Sequence, residues 1–135
     1  MPTAGYSGTP LAKKLGIKEG FKIALINQPE YYFSLFTDFP VNVKVINKPG
    51  VDLIHYFATE EENLVKDISQ LKSRIQPNGM IWISWPKKLS RVVTDITEDV
   101  IRRIALKNGL VDIKVCAVDE TWSGLKLVIP LKDRK

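Results

Sequence analysis

Short apolar runs and stretches of helical period alternate along this chain. Residues 21–27 (FKIALIN), 52–58 (DLIHYFA) and 80–85 (MIWISW) are apolar runs of strand length, typical of strands covered on both faces. Residues 41–46 (VNVKVI) alternate apolar and polar side chains, which predicts an edge strand. Residues 110–118 and 124–131 predict two further strands, and the short DETWS segment between them predicts an antiparallel hairpin.

Two helical segments are predicted in the first third of the chain. Thr9 and Pro10 are suited to open a short helix, with Thr9 as its N-cap and Gly16 as its left-handed C-terminal residue. Pro29 begins a second helical stretch, which ends before Pro40.

Two more helices are predicted in the second half. Leu64, Ile68, Leu71 and Ile75 recur on one helical face, and Thr59 with Glu62 predicts a capping box before them. Thr97 is expected to cap the last helix, which Gly109 ends. The side chains of this helix expected to face the core are Val100, Ile101, Ile104 and Ala105.

Strands that alternate with helices imply right-handed crossovers and a mainly parallel sheet. We therefore predict a three-layer, Rossmann-like α/β fold, with about six strands ending in an antiparallel hairpin. The chain is interpreted as a single domain over residues 1–135, with an N-terminal arm and short helix at residues 1–19. The few residues around NKPG are too short for a normal parallel crossover, so the strand within 41–46 is expected to be short.

The segment VDLIHYFATEEENLVKDISQLKSRIQPNGMIWISWPK resembles part of the class I S-adenosylmethionine-dependent methyltransferase fold. It is similar to the fourth strand of that fold, the following helix, and the glycine-containing turn before the fifth strand. The resemblance covers roughly residues 20–131, with one helix-and-strand unit missing near the front. The segments GYSGTPLAKKLGIKEG and SWPKK…TDITEDV…GLVDIKVCAVDETWSGLKLVI also resemble a compact bacterial domain family of unknown function, which implies no particular chemistry.

The residues that such methyltransferases use to hold their cofactor are missing. The turn after the first strand, residues 27–33, contains no glycine to let the backbone approach a nucleotide. The second strand ends in Asn47 and Lys48, with no carboxylate for the ribose hydroxyls. Tyr31, Tyr32 and Phe33 are expected to fill the space of the nucleoside. We therefore predict no cofactor and no catalytic residues; S-adenosylmethionine belongs only to an alternative interpretation.

Composition and charge exclude several classes of site. With one cysteine, Cys116, and one histidine, His55, the chain has no internal disulfide and no Cys/His zinc site, and we predict no metal. His55 lies in an apolar strand and is interpreted as a hydrogen-bonded core residue, and Cys116 as a packed thiol. The net charge of +5 favours anionic partners weakly but looks too diffuse for a nucleic-acid footprint. No secretory signal or membrane span is evident, so we predict a cytoplasmic protein.

One group of side chains is expected to meet at the carboxyl edge of the sheet, where open α/β folds bind ligands. The candidate ligand-binding residues are Asn27, Lys48, Trp85, Lys87, Lys88, Arg91, Asp119, Glu120 and Trp122. Lysine and arginine side chains there suit a phosphate or carboxylate, and a tryptophan offers a stacking surface. The alternative is that Trp85 and Trp122 pack across the loop while the charges are solvated.

The main functional prediction is a non-catalytic binding or interaction module on a degenerate methyltransferase-like fold. Its expected partners are a protein or a small anionic ligand, with no membrane and with nucleic acid disfavoured. A divergent S-adenosylmethionine-dependent methyltransferase is the first alternative, and a nucleic-acid-associated domain is the second.

Overall fold

The structure is a computed structural model that describes residues 8–134. Its helices are α1 (Leu11–Leu15), α2 (Glu61–Arg74) and α3 (Glu98–Lys107). Its strands are β1 (Lys22–Ile26), β2 (Lys44–Val45), β3 (Val51–Phe57), β4 (Ile75–Pro86), β5 (Val111–Ala117) and β6 (Trp122–Val128). Residues 1–7, which begin the expected N-terminal arm, lie outside this description.

The six strands form one sheet in the order β2-β1-β3-β4-β6-β5. β2, β1, β3 and β4 are mutually parallel, whereas β6 is antiparallel to both β4 and β5. The closing hairpin therefore inserts its second strand beside β4 and leaves β5 at the edge. This arrangement confirms the predicted α/β fold with a mainly parallel six-stranded sheet.

The sheet is covered on both faces, which explains the continuous apolar runs of its central strands. On one face, α2 and α3 pack on a core that includes Ile54 and Ile83. On the other face, α1 and the segment that follows β1 pack around Leu53 and Trp82. The buried Trp82 indole N–H donates to the Leu15 carbonyl at 2.8 Å, so the end of α1 is fixed to the sheet.

β2 is a strand of only two residues, as the short NKPG connection predicts. It pairs with Lys22 and Ile23, at the start of β1. Residues 46–50 then return to the amino edge, where the Gly50 N–H donates to the carbonyl of Arg74 at the end of α2. No helix is needed for this return because the edge strand is so short.

Several predicted helix ends are wrong, because residues distant in the chain supply the caps. At α1, the N-cap position is Pro10 rather than Thr9, and the Asp38 carboxylate accepts from the N–H groups of Ala12 and Lys13 at 3.1 Å each. Gly16 does end α1 in the left-handed conformation, with φ of 81°. The helix predicted after Pro29 is reduced to one 3₁₀ turn, Tyr32–Leu35.

The predicted capping box at α2 does not form. The N-cap residue is Glu60, and the Glu61 N–H donates to Asp95 Oδ1 at 2.7 Å. By contrast, Thr97 caps α3 as expected, since its hydroxyl accepts from the Val100 N–H at 3.2 Å. Within residues 8–134, no helix has the length and apolar character required to cross a membrane.

Candidate functional site

A cleft of about 280 Å³ opens at the carboxyl ends of β1 and β3. It is lined by Asn27, by Tyr56 to Glu60 at the junction of β3 and α2, by Asn63, and by Trp122 at the start of β6. The lining combines amide, hydroxyl and carboxylate groups with aromatic rings. A few polar groups on a partly apolar wall are typical of small-molecule sites.

Asn27 takes the role that glycine has in the ordinary nucleotide-binding turn. Its φ of 58° places the residue directly after β1 in the left-handed region. Asparagine tolerates this conformation better than most residues with a side chain. The chain therefore makes the tight turn without glycine, and the Asn27 side-chain amide, which lies 3.5 Å from the Phe57 carbonyl oxygen, bridges the ends of β1 and β3.

Glu60 supplies a carboxylate to the cleft from the junction of β3 and α2. Its Oε1 accepts from the Asn63 side-chain amide at 3.0 Å, and the side chains of both residues are exposed. The predicted second strand lacks an acid at its end, and Glu60 provides one from another element. Neither residue was predicted as a site residue, although their position after a buried strand at the start of a helix was a usable signal.

The three aromatic residues after β1 do not close the cleft together as predicted. Tyr32 is 1% exposed, whereas Tyr31 and Phe33 keep 44% and 51% of their surface exposed. The 3₁₀ turn directs only Tyr32 inward, where its ring packs against Phe36 and Phe57. The expected steric exclusion of a nucleoside by all three rings is therefore wrong.

His55 lies fully buried beneath the cleft, in the middle of a hydrogen-bonded chain. Its Nδ1 is 2.9 Å from the Tyr32 hydroxyl and its Nε2 is 2.7 Å from the Ser84 hydroxyl. Burial lowers the pKa of His55 from 6.5 to about 3 and raises that of Tyr32. Both side chains are neutral at physiological pH, which confirms the interpretation of His55 as a satisfied core histidine.

The rim of the cleft is formed by the turn between β5 and β6. Asp119 Oδ1 accepts from the N–H groups of Thr121 and Trp122 at 2.8 and 2.7 Å, which fixes this turn. The Trp122 indole N–H donates to the Tyr31 hydroxyl at 3.2 Å. Burial, together with the nearby Asp119 carboxylate, raises the pKa of Tyr31. Two aromatic side chains are thus held together beside the opening.

Another part of the predicted ligand-binding group lines a separate cavity of about 420 Å³. Trp85, Lys87 and Lys88 form one side of it, and Thr97 and Glu98 at the start of α3 form another. Arg91 is exposed in the following loop with φ of 63°, and Glu120 is exposed in the hairpin turn; neither lines this cavity or the cleft. The carboxyl edge therefore carries two cavities rather than one converging site.

Lys48 does not lie at this edge. β2 pairs with the first residues of β1, so the chain after it is already returning to the amino edge of the sheet. Its neighbour Asn47 accepts from the guanidinium of Arg74, the last residue of α2, at 3.2 Å. The prediction placed Lys48 with Asn27 because it assumed that β2 extends as far as β1.

Cys116 lies half-buried in β5 near two lysines that were not foreseen. Burial raises the pKa of its thiol, while Lys14 and Lys114 act in the opposite direction. The raised pKa keeps the thiol protonated, in agreement with a packed cysteine. Among the residues that the structure describes, no group of three or more His, Cys, Asp or Glu side chains is placed to hold a metal ion.

Solved structures with the same fold are methyltransferases. A SAM-dependent methyltransferase from Aquifex aeolicus is 18% identical, with a TM-score of 0.61, over 89% of this chain and 88% of that chain. The magnesium protoporphyrin IX methyltransferase from Synechocystis PCC 6803, with bound SAM, is 12% identical, with a TM-score of 0.56, over 89% and 74% of the two chains. An O-methyltransferase from neocarzinostatin biosynthesis, in complex with S-adenosylmethionine and a naphthoic acid, is 8% identical, with a TM-score of 0.64, over 92% and 51%.

No family model matches the chain, and no curated protein matches it by sequence. At these low identities the structural likeness shows the methyltransferase-like fold. It contradicts the main prediction of a non-catalytic module, because the neighbours favour the alternative interpretation, a divergent methyltransferase.

Proposed function

We propose that this protein is a divergent S-adenosylmethionine-dependent methyltransferase. The observation that carries the proposal is the open cleft at the carboxyl ends of β1 and β3, on a sheet with the methyltransferase order. Ligands of open α/β sheets bind outside the carboxyl ends of the strands, so the cleft lies where a cofactor would be held. Its volume is near the lower end of the range of about 300–1,000 Å³ for such sites.

The side chains of the cleft suit the chemical groups of this cofactor. The Glu60 carboxylate is a partner for ribose hydroxyls or for an ammonium group, and the exposed Asn27 and Asn63 amides offer both donors and acceptors. The Trp122 ring supplies an aromatic wall, which attracts a cation such as a sulfonium. When bound, the cofactor supplies an electrophilic methyl group; the chain positions it and shields it from water.

The second cavity suits an anionic part of the methyl acceptor. Lys87 and Lys88 provide the positive charge and Trp85 an apolar surface, so a phosphate or carboxylate is the expected group. The loop that follows is tied to the cleft, because the Thr94 hydroxyl donates to the Thr59 carbonyl at 2.7 Å. As part of the same proposal, the protein acts in the cytoplasm, and a relation to the compact bacterial family stays a prediction.

Thermal unfolding with added cofactor tests the proposal. S-adenosylmethionine and S-adenosylhomocysteine, each at millimolar concentration, should raise the melting temperature by several degrees. Ligand at about 100 times its Kd stabilises the folded state by about 2.7 kcal/mol. ATP, which shares the adenosine but lacks the amino-acid part, should cause a smaller rise.

Two matched variants locate the binding site. Glu60→Gln removes the charge in the cleft and should reduce the shift. Glu62→Gln removes an equivalent charge from the outer surface of α2 and should preserve it. No shift for the unaltered protein, with no heat of binding by calorimetry, would overturn the proposal, and equal effects of the two variants would exclude the cleft.

A further inference from the structure

A third cavity, of about 480 Å³, lies between α1 and the edge strand β5. Three lysines line it, Lys13, Lys14 and Lys114, together with Thr9 and residues 115–117 of β5. None of its lining residues carries a carboxylate. The cavity is thus a basic surface on the face of the sheet opposite α2 and α3.

The basic surface continues along this face as a row of lysines from three elements. We define the lysine row as Lys13, Lys14, Lys18, Lys114 and Lys126. The Lys14 ammonium donates to the Ala117 carbonyl, and the Lys114 ammonium to the Lys14 carbonyl, both at 3.3 Å. Burial lowers the pKa of Lys126, and the charges of Lys114 and Lys18 lower it further. Like charges have therefore been gathered at a cost, which favours a bound anion.

This concentration of charge is invisible along the sequence. Lys14 and Lys114 are 100 residues apart, and only the docking of α1 beside the closing hairpin brings them together. The net charge of +5 looked too diffuse for a polyanion, but the fold places five cations on one face.

One end of the lysine row reaches the rim of the candidate cofactor cleft. Ala117, which accepts from Lys14, precedes Val118, whose N–H donates to the carbonyl of Trp122 at 2.9 Å. Trp122 lines the cleft, and Tyr31 beside it leaves 44% of its surface exposed. A charged track thus leads to an exposed aromatic pair.

We propose that the lysine row binds the phosphates of a single nucleic-acid strand and directs one of its bases into the cleft as the methyl acceptor. A positive groove that follows the backbone, with aromatic rings that stack bases, is how sequence-tolerant proteins hold single strands. Lysine suits this role because its flexible ammonium contacts phosphates as a point charge. The choice of acceptor rests on the proposed methyltransferase function, whereas binding by the row does not.

Binding is measured first without cofactor, so that this result is independent of methyl transfer. The probes are fluorescein-labelled RNA and DNA single strands of about 12 nucleotides, within the site size of about 4–16 nucleotides for comparable folds. Fluorescence anisotropy should show binding that weakens steeply between about 50 and 200 mM salt. A preference for RNA or DNA identifies the source of the backbone. A polyglutamate peptide that binds as tightly as either strand, or strands that do not bind, would overturn the proposal.

A pair of double variants assigns the binding to the row. Lys18→Gln with Lys114→Gln removes two exposed charges and should weaken binding about tenfold near physiological salt, with a shallower salt dependence by about 0.7 per lost contact. Lys66→Gln with Lys107→Gln removes the same charge from α2 and α3 and should leave binding unchanged. Equal losses in the two doubles would indicate only nonspecific attraction and contradict the assignment.

Tryptophan fluorescence tests whether the strand reaches the cleft. Bound oligonucleotide should quench part of the emission, and Trp122→Phe should abolish that part while the other tryptophans report unchanged folding. Quenching that survives in Trp122→Phe would place the strand elsewhere. If the strands bind but S-adenosylmethionine does not, the proposed function fails while the lysine row stands as a nucleic-acid site.

Discussion

At the scale of the residue, the protonation of His55 links stability to pH. The histidine is fully buried, and both of its ring nitrogens are hydrogen-bonded, to Tyr32 and Ser84. Its pKa is lowered to about 3 in the folded chain, whereas an unfolded chain takes up the proton below about 6.5. Between these values the unfolded state binds more protons, so stability falls as the pH falls.

We expect the free energy of unfolding to be about 2 kcal/mol lower at pH 5 than at pH 7. Urea unfolding at the two values measures the difference. His55 is the single histidine of the chain, so little else titrates in this window. His55→Gln should be less stable at pH 7 yet nearly insensitive to the change, and an equal pH dependence in the variant would contradict the assignment.

The sequence predicted the character of His55 but not its partners. An isolated histidine in an apolar strand indicates a buried, hydrogen-bonded ring, as the structure confirms. The residues that satisfy it are 23 and 29 positions away, on other elements. Similarly, the missing glycine after β1 suggested a lost turn, whereas Asn27 adopts the required left-handed conformation.

At the scale of the element, the start of α2 depends on a loop from the other side of the cleft. The Asp95 carboxylate accepts from the Glu61 N–H at 2.7 Å, while the Asp95 N–H itself donates to the Thr59 carbonyl at 3.4 Å. Asp95 therefore satisfies an otherwise unpaired donor of the first turn of α2. This contact also joins the loop after β4 to the helix that borders the cofactor cleft.

Asp95→Ala should lower the free energy of unfolding by about 1 kcal/mol, as the loss of a helix cap usually does. Thr59→Ala, at the residue that the sequence favoured as the cap, should change it by less than half as much. Chemical denaturation of the two variants compares them directly. A larger loss for Thr59→Ala would restore the capping box and contradict the role of Asp95.

The interiors of helices and strands were predictable, and their ends were not. The period of Leu64, Ile68 and Leu71 identifies the buried face of α2, and all three are at most 2% exposed. That pattern is local and reflects burial alone. Caps supplied by Asp38 and Asp95 are tertiary contacts over more than 20 residues, which no local pattern encodes.

At the scale of the whole molecule, the candidate site depends on where strands end relative to one another. The apolar runs predicted the strands and the class of fold, but the register of β2 decides that Lys48 lies away from Asn27. The docking of α1 beside β5 likewise decides that dispersed lysines form one surface. These are consequences of packing, so the site residues were only partly predictable from the order of residues.

The same architecture implies a gradient of local stability across the sheet. β3 lies at its centre, pairs with both β1 and β4, and is almost entirely buried. β2 contributes two exposed residues and pairs only with β1. Amides of β3 should exchange hydrogen only by global unfolding, while the Lys44 and Ile46 N–H groups should exchange through local opening.

Hydrogen exchange followed by NMR measures this gradient amide by amide, with the amides of β4 as an internal reference for global unfolding. Asn27 and Glu60 follow β1 and β3 directly, so strong protection of those strands means that the two groups are held in place before any ligand arrives. Protection of β2 equal to that of β3 would show that the edge strand unfolds only with the core. The cleft would then be fixed by the whole sheet, and binding of the cofactor could not draw on movement of its outer edge.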